Sequence, residues 1–245
     1  MSPRRSSAWT VARTFAALLA LATLAACGSL SGSGGAAVLT SVSGNVTGYP
    51  YTGVSTVQAF APNDGAQLAS GRLFPDPGAR VEGTLTALDS IPASSFVNPY
   101  LCVGATVTPS SMMTTGVLVL GVADSGGTLG LLGRTTAPNL SVSPGVGDRM
   151  YGYLVSTHDG RISGSCAYSG VSFAYDIDLS SGWNHVSAHV DAVDSLGNIV
   201  AITFTDQAPG AGAAWRFADV SGLSSTAGAP PGSWLDAVQS GLLGR

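Results

Sequence analysis

The chain contains no lysine, and Glu82 is its single glutamate. With those two residues nearly gone, and few other long straight side chains, the usual material of solvent-facing helices is missing. Three histidines (His158, His185, His189) and three cysteines (Cys27, Cys102, Cys166) show no spacing that suggests a metal-thiolate site. No G-x-S-x-G elbow, H-E-x-x-H helix or P-loop occurs. With one glutamate, a carboxylate pair for glycoside hydrolysis would have to come mostly from aspartate. The apolar run at 14–26 falls short of the roughly 20 residues a membrane-spanning helix needs.

What is present is 33 glycines and an abundance of Ser, Thr and Val. Turn formers and β-branched residues in that proportion argue for an all-β fold, one or two antiparallel β-sandwich domains.

Arg4, Arg5 and Arg13 precede the apolar run, and small residues end it. A positive start, a short apolar core and a small-residue end make a secretory signal. Ser6-Ser7 stand where a twin-arginine signal wants an apolar residue. The segment closes on Leu24-Ala25-Ala26-Cys27, which resembles the lipobox of bacterial lipoproteins. The resemblance implies cleavage before Cys27, a diacylglyceryl group on its thiol and acylation of the new amine, palmitate being a typical chain. Two or three acyl chains anchor a protein stably where one is marginal. Gly28 is not the aspartate that retains lipoproteins of this kind at the inner membrane, so the outer membrane or cell surface is permitted. The expected location is the extracytoplasmic side of a bacterial envelope.

Removing 26 of 245 residues leaves 219, with seven of the ten arginines against all 14 acidic residues, a formal charge of −7. A surface of that sign repels phosphates, so nucleic acid is not an expected partner. The expected partners are the membrane, through the lipid, and envelope proteins or polysaccharide. Beyond Cys27, Cys102 and Cys166 in an oxidising compartment read as one disulfide. No cofactor is expected.

Residues 1–26 are thus a signal peptide, and 27–37 the lipidated cysteine with a Gly/Ser tether. As a random coil the ten residues of the tether (28–37) span roughly 17–19 Å. Residues 38–98 are expected to form a small β-sandwich with strands near 38–47, 54–61, 67–73 and 81–88. The order of strands and turns there faintly resembles prealbumin-like modules of the carboxypeptidase-regulatory type, which are spacers and adhesion units. A larger sandwich is expected over 99–219, with strands near 101–107, 115–123, 128–134, 149–157, 161–168, 171–179, 184–193, 198–206 and 213–217. Residues 220–245 are a linker, Ala227–Gly232, and a short helix capped by Ser233.

The clearest pattern lies between Val171 and Asp206. Val171, Phe173, Tyr175, Ile177 and Leu179 alternate with polar or small residues, and Val186, Ala188, Val190 and then Val200, Ile202, Phe204 continue the alternation. A two-residue turn at Ser181-Gly182 would set Ile177 opposite Val186 and Asp178 opposite His185. A three-residue loop at Ser195–Gly197 would pair Asp194 with Asn198 and Val190 with Ile202.

On the polar face of that meander, Asp178, His185 and His189 are the candidate metal or proton-transfer residues. About 13 Å separates the backbones of His185 and His189 on one strand, so they cannot share an ion directly. A solvated polar face is the simpler reading. His158-Asp159-Gly160 reads as a hairpin turn, Trp183 as cover for a sheet edge, and Tyr49-Pro50-Tyr51 as an exposed aromatic turn able to stack on a ligand or carbohydrate. No catalytic residues stand out. The expected role is structural, adhesive or accessory binding. The alternatives are a metal-dependent or hydrolytic envelope enzyme using the Asp/His face, or a solute-binding lipoprotein.

Overall fold

The computed structural model describes residues 39–75, 78–99, 103–140 and 144–219. Cys27, the tether, Cys102 and the helix expected near Ser233 lie outside the described residues. The described residues belong to one compact unit.

Fourteen strands make up the described part, joined by two 3-10 turns at Leu88–Ser90 and Ala93–Ser95. In chain order they are β1 (Ser41–Thr47), β2 (Ser55–Phe60), β3 (Gln67–Phe74), β4 (Arg80–Leu85), β5 (Ala105–Thr108), β6 (Thr114–Val117) and β7 (Val119–Asp124). Then follow β8 (Gly127–Thr135), β9 (Arg149–Ser156), β10 (Gly160–Tyr168), β11 (Val171–Leu179), β12 (Gly182–Val193), β13 (Ile199–Thr205) and β14 (Ala214–Asp219). The protein is all-β, as its composition dictates.

The architecture departs from two sandwiches. Seven strands, in the order β14-β1-β4-β3-β2-β7-β8, close on themselves through β8–β14 pairing to form a barrel. The remaining strands form an open sheet, β6-β9-β12-β13-β11-β10-β5. Hydrogen-bonded ladders run across the division expected at 98/99, since β2 pairs with β7 and β1 with β14. Two ladders are parallel, β1–β14 and β11–β13.

Period-two alternation decides which side chains fill the barrel. In β2 the buried Ser55, Val57 and Ala59 alternate with exposed Thr56, Gln58 and Phe60. Val42, Leu73, Val81, Leu120, Val122, Leu132, Trp215 and Phe217 complete a packed interior. Closure depends on sharp bending. Gly71 and Gly83 face each other across β3–β4, where a Cβ on Gly71 would stand 2.3 Å from the Glu82 carbonyl oxygen. Only glycine lets backbones approach so closely, and such kinks let a sheet curl into a barrel rather than stack as a sandwich.

The barrel and the open sheet share a wall. β6 and β7 are separated only by Leu118, yet β6 pairs with β9 and β7 with β2 and β8. β9 is buried from Met150 to Ser156 because it packs on both sides. Its Tyr153 and Val155 join the barrel core, while Met150 and Leu154 join a second core with Phe173, Ile177, Val186, Val190, Ile202 and Phe204.

The β12–β13 hairpin forms in the expected register. Val190 pairs with Ile202, the Asp194 amide donates to the Asn198 carbonyl at 2.8 Å, and Gly197 takes the left-handed conformation. The β11–β12 hairpin does not form. β13 lies between them, pairing in parallel with β11 so that Phe173 faces Ile202, and Asp178 is the ladder partner of Arg161. The corner is held by the Asn184 side chain, which accepts from the Ser180 amide and donates to the Ser180 and Gly182 carbonyls. Trp183 then swings into the barrel core and donates from Nε1 to the Thr86 carbonyl at 2.7 Å, so it is buried and covers no edge. Nor is His158-Asp159-Gly160 a hairpin turn. β9 pairs with β6, β8 and β12, and β10 pairs with β5 and β11, so this segment is a crossing between strands that do not touch as a ladder.

Candidate binding site at the barrel mouth

β1 carries the chain from one end of the barrel to the other, and the loop that follows folds Tyr49 and Tyr51 over the far mouth. Both rings meet Phe217 edge-on, with centroids 5.3 and 5.9 Å away and interplanar angles of 87° and 88°. They lie 5.5 Å from each other at 59°. Edge-to-face contacts of this kind suit the ring quadrupoles. The Tyr49 hydroxyl hydrogen-bonds with Ser55 Oγ at 2.6 Å and donates to the Gly53 carbonyl at 3.1 Å. The Tyr51 hydroxyl donates to the Asp219 carboxylate, and that hydrogen bond is the main reason its phenol titrates above the ordinary tyrosine value.

Tyr49, Tyr51, Thr52, Pro75 and Ala79 line an open cleft of about 370 Å³ at this mouth. Sequence reasoning singled out the Tyr49-Pro50-Tyr51 turn but placed it as exposed; both rings are half-buried. It missed Phe217 and Asp219, which reach the mouth only because β14 runs parallel to β1, and nothing local announces that pairing.

The candidate metal residues do not converge. Asp178 projects from an exposed stretch of β11, where Arg161 Nη1 donates to its Oδ1 and Oδ2 at 2.8 and 2.9 Å; the same guanidinium also reaches Asp176. With β13 intervening, β11 and β12 stand two strand spacings apart, roughly 10 Å. His185 turns toward Tyr153, its ladder partner on β9, with ring centroids 5.3 Å apart. Burial first, and then the charge of Arg134, hold its imidazole below the usual histidine range. The face expected to be solvated is therefore covered here, because the barrel packs against it. His189, further along β12, pairs through Nδ1 with Asp191 Oδ1 at 2.9 Å, and Asp191 Oδ2 accepts from Thr203 Oγ1 at 2.7 Å. Among the described residues, no three His, Cys, Asp or Glu side chains gather as metal ligands.

Cys166 is half-buried on β10. A Cβ on Gly104 would stand 3.8 Å from its own Cβ, which brings the chain two residues beyond Cys102 beside it.

Comparison with known proteins finds no match to a family, to a characterised protein or to a solved structure.

Proposed function

We propose that this protein is a lipid-anchored component of a bacterial cell envelope, acylated on Cys27, whose β body has a structural, adhesive or accessory binding role. The Leu24–Cys27 motif behind its basic and apolar leader carries this reading. The Gly/Ser tether leads to a body whose first strand starts at Ser41. That strand of seven residues advances roughly 23 Å, so the aromatic mouth lies at the barrel end opposite the chain's entrance. The packed interior supports binding at this surface over enclosure of a solute within the barrel. A cleft walled by Tyr49, Tyr51 and Pro75, with Thr52 at its side, suits a sugar ring of envelope polysaccharide. An oxidising compartment also fits a Cys102–Cys166 disulfide, checked by thiol alkylation before and after reduction.

The test has two parts. Labelled palmitate should enter the wild-type protein and not Cys27→Ser; equal labelling of both, or wild-type protein that fractionates with the cytosol, refutes the anchor. Wild-type protein should co-sediment with insoluble envelope polysaccharide, and Tyr51→Ala should lose most of that binding while keeping its fold by circular dichroism. Undiminished binding by Tyr51→Ala refutes the mouth as the contact.

A further inference from the structure

Arg134 lies two residues beyond Leu132 on the inner face of β8, at the end where the barrel meets the open sheet. Its ladder partners are Trp215 on β14 and Tyr151 on β9. Next to Tyr151 along the same face of β9 comes Tyr153, and across from it on β12 is His185. The Arg134 charge acts on both the Tyr153 phenol and the His185 ring, and the Tyr153 and His185 rings lie 5.3 Å apart. Arg134 Nε and His185 Nδ1 are buried, and neither has a hydrogen-bond partner. Both residues keep part of their surface open to solvent.

A buried polar nitrogen without a partner is costly, and a guanidinium drawn out of water is costlier unless an anion meets it. Here two such nitrogens belong to side chains that the β8–β9 and β9–β12 ladders bring into one neighbourhood. The ion pairs among the described residues engage Arg80, Arg161 and His189, and none engages Arg134. The groups that converge are a permanent cation with a planar fork of donors, a phenol hydroxyl and an imidazole able to place its proton on Nδ1. All three are hydrogen-bond donors, and no carboxylate of this chain answers them among the described residues. A guanidinium fork matches the two oxygens of a carboxylate or phosphate.

We propose that Arg134, Tyr153 and His185 form a binding site for a small oxyanion, a carboxylate or phosphate group, at the junction of the barrel and the open sheet. The site stands apart from the aromatic mouth: Arg134 is level with Trp215 on β14, whereas Tyr49 and Tyr51 pack on Phe217 and Tyr51 bonds Asp219, two and four residues further along that strand. An anion seated there offsets the Arg134 charge that now disfavours the imidazolium, so binding and protonation of His185 are coupled.

The test uses the purified full-length protein in detergent, with inorganic phosphate and acetate each exchanged for chloride at constant ionic strength. At least one of the two should raise the thermal midpoint saturably and move the His185 titration, read from its imidazole proton resonance, to higher pH. Which one does so distinguishes a phosphate from a carboxylate site. Arg134→Gln should weaken the response at least tenfold, and His189→Gln should leave it unchanged. If Arg134→Gln does not fold, Arg134→Lys, which keeps the charge and loses the fork, should still weaken it severalfold. The proposal is overturned if neither anion acts beyond chloride, if the His185 resonance is indifferent to both, or if the Arg134 variant that folds responds like the wild type.

Discussion

Trp215 offers the most direct test of barrel closure. It is 2 % exposed, its Nε1 donates to the Ser43 carbonyl at 3.2 Å, and its Cδ1 lies 2.9 Å from where a Cβ on Gly44 would stand. Truncating a buried tryptophan to alanine costs about 3–5 kcal/mol through lost contacts and the cavity left behind. The lost hydrogen bond to the Ser43 carbonyl adds about 1 kcal/mol. Taking about 4 kcal/mol and a urea slope of about 2.5 kcal/mol per molar, Trp215→Ala should lower the urea midpoint by roughly 1.6 M. Gly44→Ala should cost about 1–3 kcal/mol by overpacking against the indole, with further strain because Gly44 sits at φ 148°. In the Trp215→Ala background the overpacking disappears while the backbone strain remains, so the double variant should be more stable than the sum of the two losses implies. Equilibrium urea unfolding followed by circular dichroism reads all four proteins. A loss below about 1 kcal/mol for Trp215→Ala, or strict additivity with Gly44→Ala, would show that β14 does not close the barrel through this contact.

Thr115 Oγ1 is buried without a partner, so Thr115→Val, which keeps the shape and removes the hydroxyl, should be neutral or stabilise by up to about 1 kcal/mol. A clear loss in the same urea assay contradicts the burial of an unsatisfied group there. Asp64 accepts from Ser94 Oγ at 2.6 Å, from Ser95 Oγ and from the Ala66 amide, chiefly the first holding its carboxyl below the usual aspartate range. A folded-state value below the unfolded one contributes stability above about pH 4 that is lost as pH falls through the folded value. Asp64→Asn should flatten that acid-side decline, read from thermal midpoints between about pH 2 and about pH 6; an unchanged slope refutes it.

The fold's local grammar was legible. Alternation in β11, β12 and β13 named the residues of the second core, because a side chain's face follows from its position parity alone. The Ser195–Gly197 loop was legible because a left-handed glycine between two apolar strands has few other uses. The candidate site was half legible: Tyr49 and Tyr51 were visible as an aromatic turn, while their partners at 217 and 219 were not.

Neighbour choice was not legible, and it moved the most. Phe173 and Ile177 face the same core whether β11 pairs with β12 or with β13, since either neighbour preserves parity. The pattern that located the core was therefore silent about the ladder, and Asp178 lost its expected partner His185 to an intervening strand. Likewise β9, with Tyr151, Tyr153 and Val155 on one face and Met150 and Leu154 on the other, signals burial without saying between which two layers. What the sequence by itself determined is most of the strands and their inward faces; the single strand expected at 115–123 is instead two, β6 and β7, which join different ladders. Only the tertiary structure decided that the backbones press together at Gly71 and Gly83 and that β14 returns to pair with both β1 and β8. It also decided that the barrel then covers His185 and Arg134. Period and turn chemistry act over a few residues, whereas strand pairing is settled by contacts between segments far apart in the chain.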